Sequence, residues 1–479
     1  MTDVDLLIRG ARVFDGGGGA PSVADVAVRG DAIADVGPDL ALRAAETVDA
    51  EGLALAPGFI DVHTHDDAVV LDPDGMAPKL TQGVTTVVTG NCGISLAPDP
   101  RAGRPAPTPP LDLLGGAGAF RFPRFADYLA ALRALPPAVN VAPLVGHTAL
   151  RARAMDALDR PATDAEIAAM RADLAEALAA GAIGLSTGLA YPPARFATTD
   201  EVAALAADVA AKGGLWTTHM RDERTGVVSA VAETIDVARR TGVRTLISHH
   251  KCAGAAAFGL SATTLAMIAE ARKTLAIDLD VYPYTASSTV LLADFARDSA
   301  RVTVSWSDPF PDAAGRDLSA IAAEWGVDAE TALERLKPGG AIYHQMDEGD
   351  LRRILAFPPS LVGSDGLPRD RRPHPRLWGA FPRVLGRYVR DEGLLDLATA
   401  VAKMTGLTAA ALRLRDRGRI APGMKADLVL FDPERIADAA TYEDPTRPAL
   451  GVERVVVNGR TALARGALTG DRAGAVIGA

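Results

Sequence analysis

Eight short apolar runs, spaced by helix-sized amphipathic stretches, fill the middle of this chain and limit its fold more than any other feature. They are 59–63 FIDVH, 84–90 VTTVVTG, 141–146 VAPLVG, 182–186 AIGLS, 215–219 LWTTH, 245–249 TLISH, 277–282 IDLDVY and 361–364 LVGS. Runs this short and this apolar suit strands of a parallel sheet whose faces are both covered. Eight of them alternating with helices fit an α/β fold, a (β/α)8 TIM-like barrel. Several helix ends are readable as well. Thr163 and Glu166 form a capping box before an alanine-rich helix that Gly181 ends, and Gly213 and Gly242 close the next two.

The two chain ends are written differently. DLLIRGARVFDG, DVAVRGDAIADVG and TVDAEGLALAPG near the start, and GRIAPGMKADLVLFD and VERVVVNGRTALARG near the end, are short alternating runs broken by Gly and Pro. The expected organisation is a small β-sandwich domain from 1–57 plus 416–479, with the barrel, 58–415, inserted between its halves. A length of 479 residues exceeds one ordinary core and favours such a division. Residues 99–119 are rich in Pro and Gly and are expected to be a long loop. Residues 285–355 separate the last two strands by far more than a normal connection, so a lid-like insertion is expected there.

Hydrophobic residues make up 48% and charged residues 23%, with a net charge of −10 and no basic block. That argues against a nucleic-acid or anionic-membrane role and leaves a small molecule as the expected partner. Two cysteines do not make a disulfide framework, and a reducing, cytoplasmic setting is the simpler expectation. MTDVDLLIRGARVFDG lacks the basic and apolar regions of a signal peptide, and no apolar stretch of about 18 residues suggests a membrane span.

The chain has only eight histidines and two cysteines, and several of them stand at strand ends. His63 and His65 flank Thr64 after the first strand, Cys92 lies just past the second in GNCG, and His219 and His249 end the fifth and sixth. Asp365 follows the eighth in GSDG. Imidazole and thiolate at one end of a parallel barrel can converge on a zinc-like ion, beside which a carboxylate can take a proton from water. Each residue also has a plainer reading: an inert buried cysteine, a hydrogen-bonded core histidine, an Asp that only shapes a turn. His250 should point away from its neighbour, and His147, at the end of the third strand, is a lesser candidate for orienting a substrate.

Taken in order, APGFIDVHTH, GNCG, THMR, SHHK, VYPY, SDG and HPRLWG resemble the N-acyl-D-amino-acid deacylases, or D-aminoacylases, of the amidohydrolase superfamily, over essentially the whole chain. The resemblance implies one Zn2+ held tightly by Cys92, His219 and His249, and a second, weaker site at His63 and His65. It implies Asp365 as catalytic base, with Lys251, Tyr282 and Ser288 binding the substrate α-carboxylate. Arg376 joins them as a carboxylate candidate because guanidinium offers a matching fork; the plainer reading is a surface ion pair. Many binuclear relatives bridge their metals with a carboxylated lysine on strand four. Strand four here, AGAIGLSTGLAYPP, has none, which argues against a fully occupied two-metal site, although the Cys92 sulfur can partly take that place. The expected activity is zinc-dependent hydrolysis of N-acyl-D-amino acids to a carboxylate and a D-amino acid. The alternatives are a hydantoinase-like or isoaspartyl-dipeptidase-like amidohydrolase, or a non-catalytic barrel scaffold.

Overall fold

The computed structural model describes residues 2–100 and 106–478. Eight parallel strands lie side by side in chain order: Phe59–Asp61, Val84–Thr89, Asn140–Gly146, Gly184–Gly188, Leu215–His219, Arg244–Ile247, Ile277–Val281 and Ser360–Val362. They are the eight apolar runs of the sequence, shifted at their ends by up to two residues. Helices alternate with them and bury their apolar faces on the outside, as in Asp164–Ala180, where Met170, Leu174 and Ala177 face inward. The capping box of this helix is formed, with Thr163 N–H donating to Glu166 Oε2 at 2.8 Å and Glu166 N–H to Thr163 Oγ1 at 3.3 Å. Gly242 ends Val227–Thr241 in the left-handed conformation that a side chain would strain.

The first and last barrel strands are stitched together mainly beyond their regular ends. Asp365 N–H donates to His63 O at 2.8 Å, and Ser364 N–H donates to Asp61 Oδ1 at 2.8 Å. The fully buried Lys79 ammonium spans the same seam, 2.7 Å from both Asp61 Oδ2 and Ser364 Oγ.

Strands from both chain ends share one mixed nine-stranded sheet, in which Ala54–Pro57 pairs with Leu428–Phe431. The sheet covers apolar residues on both faces, Leu6, Ile8 and Val26 on one and Leu7 and Ala27 on the other. Between barrel strands seven and eight, Ala286–Val290, Gly339–His344 and Arg301–Ser307 form a three-stranded antiparallel sheet. Helices Leu318–Trp325 and Ala329–Arg335 pack on it around Val304, Ile321, Leu333 and Tyr343. Of the Pro/Gly-rich stretch 99–119, residues 101–105 lie outside the described residues, and the later part contains two short 3₁₀ turns, Leu111–Leu114 and Ala117–Ala119. Among the described residues no helix is long and apolar enough to cross a membrane.

Candidate metal centre

The barrel brings its strand ends to one buried point. Ligand atoms of His63, Cys92, His249 and Asp365 all lie within 4.8 Å of one another, and the four residues are buried. Cys92 Sγ is 3.2 Å from His63 Nε2 and 3.2 Å from His249 Nε2. Asp365 Oδ1 is 3.2 Å from His65 Nε2 and 3.6 Å from His63 Nε2, so His63 and His65 do share a face.

His219 stands in an adjoining group with Glu223 and, again, His249. Its ring meets the His249 ring edge-on at 4.5 Å between centroids. Both His219 nitrogens are buried without a hydrogen bond among the described residues, so the ring has a nitrogen available to an ion. A thiolate with several imidazoles and a carboxylate suits zinc better than a hard cation such as Mg2+ or Ca2+.

The backbone at this point is constrained. Cys92, His249 and Asp365 have φ of 55°, 35° and 51°. Non-glycine residues there cost of order 1–3 kcal/mol each and persist where the surrounding structure enforces them. Strand four shows how tight the packing is. A side chain at Gly188 would put its Cβ 2.1 Å from the Cys92 carbonyl oxygen, so no longer residue fits at that strand end.

Electrostatics favour charged groups. Burial opposes ionisation of Cys92, yet the imidazoles of His63 and His249 outweigh it and hold the thiol well below its usual range. Burial likewise disfavours the Asp365 carboxylate, but Arg376, His249 and His63 keep it well below the ordinary value. Arg376, itself fully buried, places Nη1 2.9 Å from Asp365 Oδ2 and donates from Nη2 to Ser288 O at 3.0 Å. Its guanidinium lies over the Tyr282 ring at 4.5 Å, and Lys251 approaches the same ring at 5.8 Å. Burial raises the Tyr282 phenol well above its usual pKa, so it stays a neutral donor. Ser288 Oγ donates to Ala341 O at 3.2 Å. Lys251 is already engaged: Nζ is 2.8 and 2.7 Å from the two Glu223 oxygens and 2.7 Å from His249 Nδ1.

His250 points away, with Nε2 2.8 Å from Thr264 Oγ1, and burial lowers its pKa to about 4. His147 is turned to Glu201, at 2.8 Å, rather than to the centre.

Three neighbours of the centre escaped the sequence reading. Asp280 Oδ2 is 3.3 Å from His63 Nδ1, and its Oδ1 accepts the His249 N–H at 2.9 Å. Its signal was available: a carboxylate inside the apolar strand IDLDV needs a partner. Glu223 sits in the polar run MRDERT, where nothing distinguishes it. Tyr191 stacks edge-on against His219 at 4.9 Å and hydrogen-bonds Thr289 Oγ1 at 2.9 Å. A cavity of about 490 Å³ opens beside His219 and Glu223, with Ala253, Phe295 and Gln345 among its walls.

Comparison with known proteins agrees with this architecture. A family model described as the amidohydrolase family matches residues 46–463. A D-aminoacylase of Alcaligenes xylosoxydans xylosoxydans is 53% identical over 474 residues, 99% of this chain and 97% of that protein. A solved D-aminoacylase, described as having a binuclear metal centre with one-metal activation and second-metal attenuation, superposes with a TM-score of 0.96 at 51% identity, covering 99% of this chain and all of that one. An N-acyl-D-glutamate deacylase from Bordetella bronchiseptica, solved with zinc and a phosphonate mimic of the tetrahedral intermediate, superposes with a TM-score of 0.95 at 45% identity over 99% of this chain and all of that one. The chain belongs to the amidohydrolase family, in its D-aminoacylase group.

Proposed function

We propose that this protein hydrolyses N-acyl-D-amino acids to a carboxylate and a D-amino acid, using zinc held by Cys92, His219 and His249. The carrying observation is the convergence of Cys92, His63, His249 and Asp365 within 4.8 Å in a chain 53% identical to a D-aminoacylase. His63 and His65 would offer the donors for a second, weaker ion, and Cys92 Sγ, 3.2 Å from both His63 Nε2 and His249 Nε2, would be within reach of it. When bound, zinc polarises the amide carbonyl and acidifies water.

The remaining work falls to side chains. Asp365, kept anionic by Arg376, accepts the proton of the attacking water at Oδ1, the oxygen facing His63 and His65, and returns it to the departing nitrogen. Lys251, Tyr282 and Ser288 grip the α-carboxylate, the Ser288 hydroxyl turning to it from Ala341 O and the Lys251 ammonium sharing its protons between Glu223 and the substrate. Arg376 adds to that grip through Nε, which completes no hydrogen bond among the described residues, while Nη1 stays paired with Asp365. With the carboxylate and the amide both fixed, the side chain at Cα has one remaining direction, which is how the site tells D from L. The insertion that carries Ser288 acts as a lid over this face. Two buried free cysteines suit the cytoplasm as working compartment.

A paired panel of N-acetyl-D- and N-acetyl-L-amino acids tests the reading. Turnover confined to the D series is expected, and equal turnover of both enantiomers would overturn it.

A further inference from the structure

Lys251 poses a problem that its surroundings answer. Its ammonium is 2.7 Å from His249 Nδ1, so a full positive charge stands one imidazole away from the place where a dication is to bind. Burial leaves Lys251 only 3% exposed, and water can screen little of that repulsion. Glu223 is the compensating group. Both its oxygens lie within 2.8 Å of Lys251 Nζ, Oε1 is 2.9 Å from His249 Nδ1, and Oε2 is 3.4 Å from His219 Nε2.

We infer that Glu223 is a positioning residue: the counter-ion that lets Lys251 stand beside the metal centre, and the carboxylate that orients His249 toward it. The inference rests on the zinc reading above. The group His219, Glu223 and His249 could also be read as a metal site of its own. The observations favour the counter-ion role, because the Lys251 ammonium touches both Glu223 oxygens and His249 Nδ1 and would repel a cation there. The rest of the surroundings agree. Tyr282 offers Lys251 a ring face but no charge, and Asp280 is committed to His63 and to the His249 amide. Asp365, the other carboxylate near His249, is paired with Arg376 at 2.9 Å, which leaves Glu223 as the carboxylate that faces Lys251 and both imidazoles.

The test is zinc affinity, measured by chelator competition with zinc alone, on the parent, Glu223→Gln, Lys251→Met and the double variant. Carboxylates that orient metal-binding histidines typically account for about 10–100-fold in affinity. Glu223→Gln should weaken zinc by that factor with its circular dichroism unchanged. Lys251→Met should bind zinc at least as tightly as the parent, because removing a neighbouring positive charge helps a cation. The double variant should recover part of what Glu223→Gln loses. A purely structural role for the pair would make both single variants bind more weakly, and that result overturns the inference. So does a Glu223→Gln affinity within twofold of the parent, or the loss of one whole zinc equivalent, which would make Glu223 a ligand. Should Glu223→Gln fail to fold, the direction of the Lys251→Met change still decides. A parent protein that binds no zinc at all is a different result: it removes the metal reading itself.

Discussion

Replacing Asp365 by Asn keeps the shape of the side chain and removes its charge, which separates two consequences. As a base, the amide has no use: it cannot take the water proton, and loss of a positioned general base lowers turnover about 10²–10⁴-fold. The second consequence concerns Arg376. That side chain is fully buried, and Asp365 is its ion-pair partner at 2.9 Å. Removing one member of a buried pair costs about 3–5 kcal/mol, because the other charge is left without compensation. Arg376 keeps the Ser288 carbonyl at 3.0 Å and the Tyr282 ring face at 4.5 Å, which argues for the lower end, about 3 kcal/mol. At about 2.1 cal/mol/K per residue, a chain of 479 residues unfolds with an entropy near 1 kcal/mol/K, so the shift in Tm is about 3 °C. Metal content, kcat and thermal unfolding, measured on one preparation, read all three quantities. Zinc retained, kcat down at least a hundredfold and a Tm a few degrees lower are expected. A kcat within tenfold of the parent refutes the base. Loss of zinc would instead make Asp365 a ligand first.

Cys92→Ala should lose tightly bound zinc together with activity, read by metal analysis, and a variant that keeps both would refute the thiolate as ligand. Lys251→Ala should lower kcat/KM on an N-acyl-D-amino acid about ten- to hundredfold more than on an analogue without the carboxylate, since each charge-assisted hydrogen bond is worth about 1.5–3 kcal/mol. The acid limb of stability should trace in part to Glu201, whose pKa, despite the opposing effect of burial, is drawn down from 4.5 to about 2 by His147 and by Arg151, which meets it at 2.6 Å. A carboxyl lowered on folding adds stability above pH 4.5 that disappears as pH falls toward 2, here about 3 kcal/mol at most. In urea unfolding between pH 2 and 6, Glu201→Gln should flatten that slope, and parallel curves for variant and parent would exclude the contribution.

What the sequence displayed and what it hid follow from the range of the interactions. Strands such as VTTVVTG and caps such as Thr163 with Glu166 are local, and they are readable because period and capping chemistry act within a few residues. The seam between strands one and eight is different. Lys79 reads as an ordinary cation in APKL, yet it is 1% exposed and reaches Ser364, 285 residues away. No local pattern announces such a partner. Glu223 was invisible for the same reason, because its meaning lies in Lys251 and His249, which a different strand end delivers.

The backbone at the centre explains why residue type alone left Cys92, His249 and Asp365 with plainer alternatives. A cysteine or an Asp before Gly is ordinary turn chemistry, and the positive φ at both positions is what a turn would give. The turn and the site are one feature here. With the backbone in the left-handed region at the strand end, the side chains of Cys92 and Asp365 reach the common point at the barrel mouth. Three such residues around one point each carry a conformational cost of order 1–3 kcal/mol, and eight hydrogen-bonded strands with a side-chain-locked seam hold them there. A rigid barrel with strained ends is what lets a soft thiolate, imidazoles and a carboxylate meet at a fixed spacing, and a looser scaffold would relax those turns and separate the donors.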